Sequence, residues 1–305
     1  MRRWLASSSS KPGSGALTLF GDQASPAPPA PAVVIEGPTV RVRLDVAYLG
    51  AGFHGFAVQP GIRTVGGALV AALERHLRHT VEIVCAGRTD AGVHAWGQVV
   101  TFDARAGVDL VGMARALNKT LRPVIVIRSA AAVAPGFDAR RSATSRTYRY
   151  TILNRALPDP FSAATAWHIE RPLDVALLRL ACDPLIGEHD FSSFCRRPPN
   201  GGSLVRRLSG AAWSRGGDDR LVFEVCASSF CQQMVRALVG TMVDVGVGRK
   251  RAGDMAAILR AADRSRAGQL APPHGLCLWD VTYPGISSTL PGFAPERPPR
   301  ADQDV

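Results

Sequence analysis

A reaction needs a reactive side chain held where a substrate can reach it, and the stretch Ala86-Gly87-Arg88-Thr89-Asp90-Ala91-Gly92-Val93-His94-Ala95 offers one. An ionised carboxylate such as that of Asp90 acts as a nucleophile or a base. Arg88 stands two residues before it, and Gly87 and Gly92 allow tight backbone geometry around both. The residues on either side read as strands, which makes the stretch a strand-to-strand loop. Loops on rigid scaffolds are where reactive groups tend to sit. Taken by itself, the pattern fits an ordinary Asp turn with a solvated Arg88 better than a reactive site.

Other reactive side chains form weaker patterns. The six cysteines, Cys85, Cys182, Cys195, Cys226, Cys231 and Cys277, include no Cys-x-x-Cys pair, so no zinc site is expected and they read as small core residues. His76 and His79 are three apart on an expected helix. No carboxylate motif accompanies them, so a solvated basic face is expected rather than a metal site. No metal and no nucleotide cofactor is expected.

The chain has 305 residues, 46% of them hydrophobic, enough for one large core or two modest ones. No apolar run reaches the length of a bilayer span. Met1-Arg2-Arg3 starts like a signal peptide, but serines follow in place of an apolar region, which points to a soluble cytoplasmic protein. Residues 1–38 and 285–305 are rich in serine and proline and read as disordered tails. The tails carry net charges of +1 and −1, so the middle of the chain holds essentially all of the +11 excess. Only Lys11, Lys119 and Lys250 of the 36 basic residues are lysines. Guanidinium groups grip phosphates and stack on bases, so a polyanionic partner is expected. Codon bias explains arginine replacing lysine, but not the surplus over 25 acids.

The elements that must position the Asp90 loop follow from periodicity. Val40, Val42, Leu44, Val46 and Tyr48 alternate with polar residues as a strand. Thr64 caps a helix whose inner face is Val65, Leu69, Leu73 and Leu77. Strands are expected near 81–86 and 97–102, a helix near 109–119, and a strand opening at Val124–Ile127. The order is β-α-β-β-α-β, the ferredoxin-like pattern. The second half nearly repeats it, with a strand through Tyr148, Tyr150 and Ile152, a helix over 174–186, and strands near 204–214 and 220–227. Helices near 230–247 and 253–262 and a last strand near 277–283 complete it. The fold class expected is therefore α+β, with halves 39–135 and 136–284, their sheets side by side and a central cleft between them suited to a nucleic acid.

The loop around Asp90 resembles the signature of the TruA family of tRNA pseudouridine synthases, and the resemblance extends over about residues 41–284. Tyr48-Leu49-Gly50, Phe53-His54-Gly55-Phe56 and Arg63-Thr64-Val65 are similar to the family's opening block. Phe137-Asp138-Ala139-Arg140, Ala143 and Arg146-Thr147-Tyr148-Arg149-Tyr150-Thr151-Ile152 resemble its central block. Gly187-Glu188-His189-Asp190-Phe191-Ser192-Ser193-Phe194, then Phe230, Met234-Val235-Arg236 and Val239-Gly240, and finally Ala271-Pro272-Pro273-His274-Gly275-Leu276 follow in the family's order.

The resemblance implies isomerisation of uridine to pseudouridine in the tRNA anticodon stem-loop: the base is cut from ribose at N1 and rejoined through C5. It assigns the catalytic carboxylate to Asp90 and its cationic partner to Arg236, whose fork would hold both carboxylate oxygens. It places Tyr148 against the target uracil, with Tyr150 a core residue. Arg88 would contact RNA and fill the space of a flipped base. His94 would support the loop, and His189 and Asp190 would be structural. A homodimer in which one tRNA touches both subunits is implied as well.

Three positions depart from the family pattern. The usual Gly-Trp-Gln-x-Gln reads Gly55-Phe56-Ala57-Val58-Gln59, Thr-Val-Gln reads Thr64-Val65-Gly66, and the histidine of Phe-His-Ala-Arg is Asp138. These sites are expected outside the reaction core. The rival readings are a non-catalytic RNA-binding protein on the same fold and a hydrolase that releases free uracil.

Overall fold

The structure, a computed structural model, describes residue 35 and residues 37–199 and 201–285. The two tail segments expected from the sequence lie almost wholly outside the described residues. In the first half, β1 (Thr39–Tyr48), α1 (Val65–Leu77), β2 (Val84–Cys85), β3 (His94–Arg105), α2 (Leu110–Leu121) and β4 (Ile125–Val133) follow in order. The second half has β5 (Ser145–Asn154), β6 (Trp167–Ile169), α3 (Val175–Leu180), β7 (Gly187–Asp190), β8 (Val205–Arg215), β9 (Arg220–Ala227), α4 (Met234–Gly246), α5 (Asp254–Ala261) and β10 (Leu276–Thr282).

Strand order is β4-β1-β3-β10-β5-β9-β8-β7, with β2 added on β3 and β6 on β5. The β4-β1-β3-β2 group and the β10-β5-β9-β8 group each have the strand order of a ferredoxin-like unit, so the α+β two-half architecture is realised. The two sheets are fused into one. β10, the last strand, pairs antiparallel with β5 and parallel with β3 through Cys277↔His94 and Leu278↔Ala95. On the same edge of β3, β2 holds only Val100 and Thr101, and the Ala86 N–H adds one bond to Val99. The sheet therefore forks along β3, and the Asp90 loop emerges in the fork.

Local chemistry explains most element ends. Thr64 caps α1 by accepting from the Gly67 N–H, and Arg78 closes it in the left-handed region at φ 61°. Asp109 and Asp174 cap α2 and α3 in the same way. The helix expected over 174–186 stops at Leu180, and residues 183–185 form a separate short turn, because Pro184 supplies no N–H and disfavours helix before it. The helix expected from 230 starts at Met234, because Gln233 sits at φ 66°. The alternating residues Val42, Leu44 and Val46 are buried, as are Val65, Leu69 and Leu73 of α1 and Met113 and Leu117 of α2. α4 is apolar nearly all round and is buried almost throughout.

Candidate active site

The Asp90 loop is held by groups outside it. Gln98 on β3, wholly buried, donates from its amide to the Gly87 carbonyl at 2.7 Å and accepts from the Gly87 N–H at 3.3 Å. The Tyr48 and Thr89 hydroxyls bond to each other at 2.8 Å. Phe56 N–H donates to the Thr89 carbonyl at 3.1 Å. Gly55, at φ 90°, permits this approach, since a Cβ there would lie 2.7 Å from the Thr89 oxygen. The Asp90 carbonyl accepts from the Val93 N–H, which closes the turn.

Two further groups tie the loop to the second half. Arg146 of β5 is buried and donates to the carbonyls of Ala86, Arg140, Ala143 and Ser228. His94 accepts at Nδ1 from the Gly50 N–H at 2.8 Å, so the imidazole is neutral and Nε2–H donates to the His274 carbonyl at 2.9 Å. Burial lowers the His94 pKa below its ordinary value, in keeping with that neutral form.

Across the cleft, α4 presents Arg236. Its Nη1 lies 3.8 Å from Asp90 Oδ2, and the two side chains are 12% and 30% exposed. The expected two-pronged fork is not formed: the nearest nitrogen stands beyond hydrogen-bonding distance of the carboxylate, and Nε is committed to the Ala271 carbonyl at 2.7 Å. The Ala271 N–H donates in turn to the Arg236 carbonyl, so the strand of residues around 271 lies directly against the helix. Gly240 makes that packing possible, as a Cβ there would fall 1.8 Å from the Gln269 oxygen. Burial lowers the Arg236 pKa, while Asp90 opposes the shift; a guanidinium stays charged regardless.

Tyr148 is buried, with its ring edge-on to Phe230 at 5.0 Å. A methyl added at Gly87 would lie 3.6 Å from its hydroxyl, so ring and loop face one another. Burial raises the hydroxyl pKa well above the ordinary tyrosine value, and it remains protonated at neutral pH. Tyr150 is a core residue, donating from its hydroxyl to the Pro272 carbonyl. Arg88 is exposed on the cleft wall.

One cleft of about 1360 Å³ is lined by Arg88, Asp90, Tyr148, Phe230, Arg236 and Leu276, among others. All four expected site residues are thus brought together from both halves. Phe56 and Asp138 also line this cleft, so two of the departures from the family pattern lie on its wall. At Gly66 a Cβ would meet the Phe56 oxygen at 2.5 Å, so this backbone has no room for the family's glutamine. His79 is buried beyond the end of α1 and bonds to the Thr80 carbonyl, so it is no part of a solvated face. Among the described residues no His, Cys, Asp and Glu cluster could hold a metal.

Sequence reasoning missed Gln98 and Arg146 as supports of the loop. A lone amide beside the apolar pair Val99-Val100, eight residues after Asp90, was the available signal for Gln98.

The family model described as tRNA pseudouridine synthase matches residues 46–140 and 181–284, segments that carry Arg88, Asp90 and Arg236 but not Tyr148. The chain belongs to the tRNA pseudouridine synthase family. Relatives named tRNA pseudouridine synthase A bear this out over most of both chains. That of Frankia casuarinae is 46% identical, with 80% of this chain and 90% of the relative covered. That of Methylobacterium nodulans is 42% identical over 83% and 99%, and that of Brevibacillus brevis 40% identical over 80% and 99%. Within this tRNA pseudouridine synthase family member, Asp90 and Arg236 both fall in the matched segments.

Proposed function

We propose that the protein isomerises uridine to pseudouridine in the anticodon stem-loop of tRNA, with Asp90 as its catalytic carboxylate. The observation that carries this reading is the Asp90–Arg236 pair, which crosses from one half to the other in a single cleft and faces Tyr148. An RNA-binding protein without catalysis would use the cleft and its arginines but gives this enclosed carboxylate no work.

In this reading the N1–C1′ bond breaks, a C5–C1′ bond forms, and the C5 hydrogen leaves to solvent while N1 takes up a proton. Asp90 supplies the anionic oxygen beside sugar and base. Arg236, 3.8 Å away, directs it. The Tyr148 ring stacks on the uracil while it turns. A base in a helical stem must first leave the stack, at a cost of about a few kcal/mol, and Arg88 fills the vacated place. Residues 39–135 and 136–284 act as the two walls.

RNA labelled with tritium at uridine C5 tests the reaction. Release into water by the wild type, none by Asp90→Asn, and RNA binding with most release lost in Arg236→Lys are the expected results. Retention of tritium on demonstrably bound RNA would favour the binding-protein reading. We further infer a cytoplasmic homodimer that shares its tRNA between subunits. Light scattering at about twice 32.4 kDa is expected, and a monomer would refute the dimer.

A further inference from the structure

The cleft carries a second reactive cluster that uridine isomerisation does not use. Cys231 is half-buried and lines the cleft next to Phe230. Cys195 is buried just after the short turn Ser192–Phe194. The residue following each cysteine joins the two segments, with the Arg196 N–H donating to the Gln232 carbonyl at 3.0 Å. That bond sets the two cysteines on adjoining segments, each thiol close enough to perturb the other, and both are free; Cys231 Sγ also reaches the Leu204 carbonyl at 3.9 Å. The positive charge of Arg206 acts on both sulfurs. Its Nη1 is fixed by the Ser203 and Val205 carbonyls, and its buried Nε has no hydrogen-bond partner in the described structure.

We propose that Cys195 and Cys231 form a thiol–disulfide site on the cleft wall, which low-molecular-weight disulfides close to an intramolecular disulfide, slowing turnover. Cys231 is the attacking thiol, because it reaches the cleft whereas Cys195 is covered. The hydrogen bond from Cys195 holds the Cys231 thiol below its ordinary pKa; burial works against this and Arg206 assists it. The Cys231 thiolate attacks one sulfur of the small disulfide and expels one small thiolate. Cys195 gives up its proton and attacks the Cys231 sulfur, forming the protein S–S bond and expelling the second small thiolate. Two protein thiols are oxidised and one small disulfide is reduced to two thiols.

Cys85 also lines the cleft, but it and two other cysteines are held as thiols. Burial pushes the Cys85 thiol up to about 11 and those of Cys182 and Cys277 to about 12. The consequence for turnover comes from position. Phe230, next to Cys231, packs edge-on to Tyr148, and the Cys231 carbonyl accepts from the Met234 N–H at the start of the helix that bears Arg236. Pulling Cys231 toward Cys195 disturbs both walls of the site.

The full chain is incubated with glutathione disulfide, its remaining thiols are alkylated, and the digest is mapped by mass spectrometry. A Cys195–Cys231 cross-link is expected to dominate, with the other four of the six cysteines alkylated. Cys195→Ser is expected to stop at a mixed disulfide on Cys231. Recovery of both peptides alkylated from the folded wild type would overturn the site. Tritium release should fall by about tenfold or more in the cross-linked protein and return with dithiothreitol. Unchanged release from mapped, cross-linked protein would overturn the effect on turnover. The release measurement rests on the isomerisation reading and the mapping does not. A reduced protein that releases no tritium would therefore count against that reading alone.

Discussion

The Arg236 guanidinium approaches Asp90 to 3.8 Å without a hydrogen bond, while its Nε is bound to Ala271. That division of labour aims the guanidinium while leaving the carboxylate partly open to the cleft. It also explains why a lysine is expected to fail there, since an ammonium has no second, planar nitrogen to anchor. His94 has the opposite character, being useful only while neutral. Its Nδ1 must accept from Gly50 while Nε2–H donates to His274, and its folded pKa lies below the ordinary 6.5. The unfolded chain then binds the extra proton first as pH falls. The stability contributed by neutral His94 is fully present above about 6.5 and is lost as pH drops from there toward the folded value. Thermal melts from pH 8 to 5 should show a decline starting near 6.5 that is reduced in His94→Gln. An equal decline in the variant would refute this role.

At the scale of elements, α4 and the segment around Ala271 form one unit whose spacing is set by a missing side chain. Gly240→Ala must push the Gln269 carbonyl away from the helix, because the new Cβ would begin 1.8 Å from its oxygen. Overpacking of this kind costs about 1–3 kcal/mol. Displacing the segment also removes the Ala271 oxygen from the Arg236 Nε, so turnover is expected to drop together with the melting temperature. Gly253→Ala is the matched control, since nothing lies within 4 Å of its added Cβ. Equal melting temperatures for the two variants would show that the close approach is not limiting. The Asp90 loop is likewise shaped from outside, by Gln98 and Arg146.

For the whole molecule, fusion of the two sheets through β10 and β3 places the loop of one half opposite α4 of the other. The wall of the cleft between them includes Arg88, Arg140, Arg141 and Arg206. RNA held this way releases counterions, with a slope of log K against log salt of about 0.7–0.9 per phosphate engaged. Arg141→Ala is expected to weaken tRNA binding and flatten that slope by about one such step. A weaker affinity at unchanged slope would place Arg141 away from the phosphates.

Much was legible in the chain itself because it depends on near neighbours. The alternation of β1, the Thr64 cap, the apolar face of α1 and the β-α-β-β-α-β order with its near repeat are local patterns, and the ordered blocks of family resemblance pointed to Arg236 and Tyr148. Where local reading failed, single residues overrode the pattern, as Pro184 shortened α3 and Gln233 delayed α4. Other facts were decided only in three dimensions. The unforked approach of Arg236 to Asp90, the support of Gln98 and Arg146, the cleft-wall position of Phe56 and Asp138, and the approach of the Cys195 and Cys231 segments all join residues far apart in the chain. Such pairings depend on which strand edge β10 occupies and how closely backbones approach, and no spacing within a single segment encodes either.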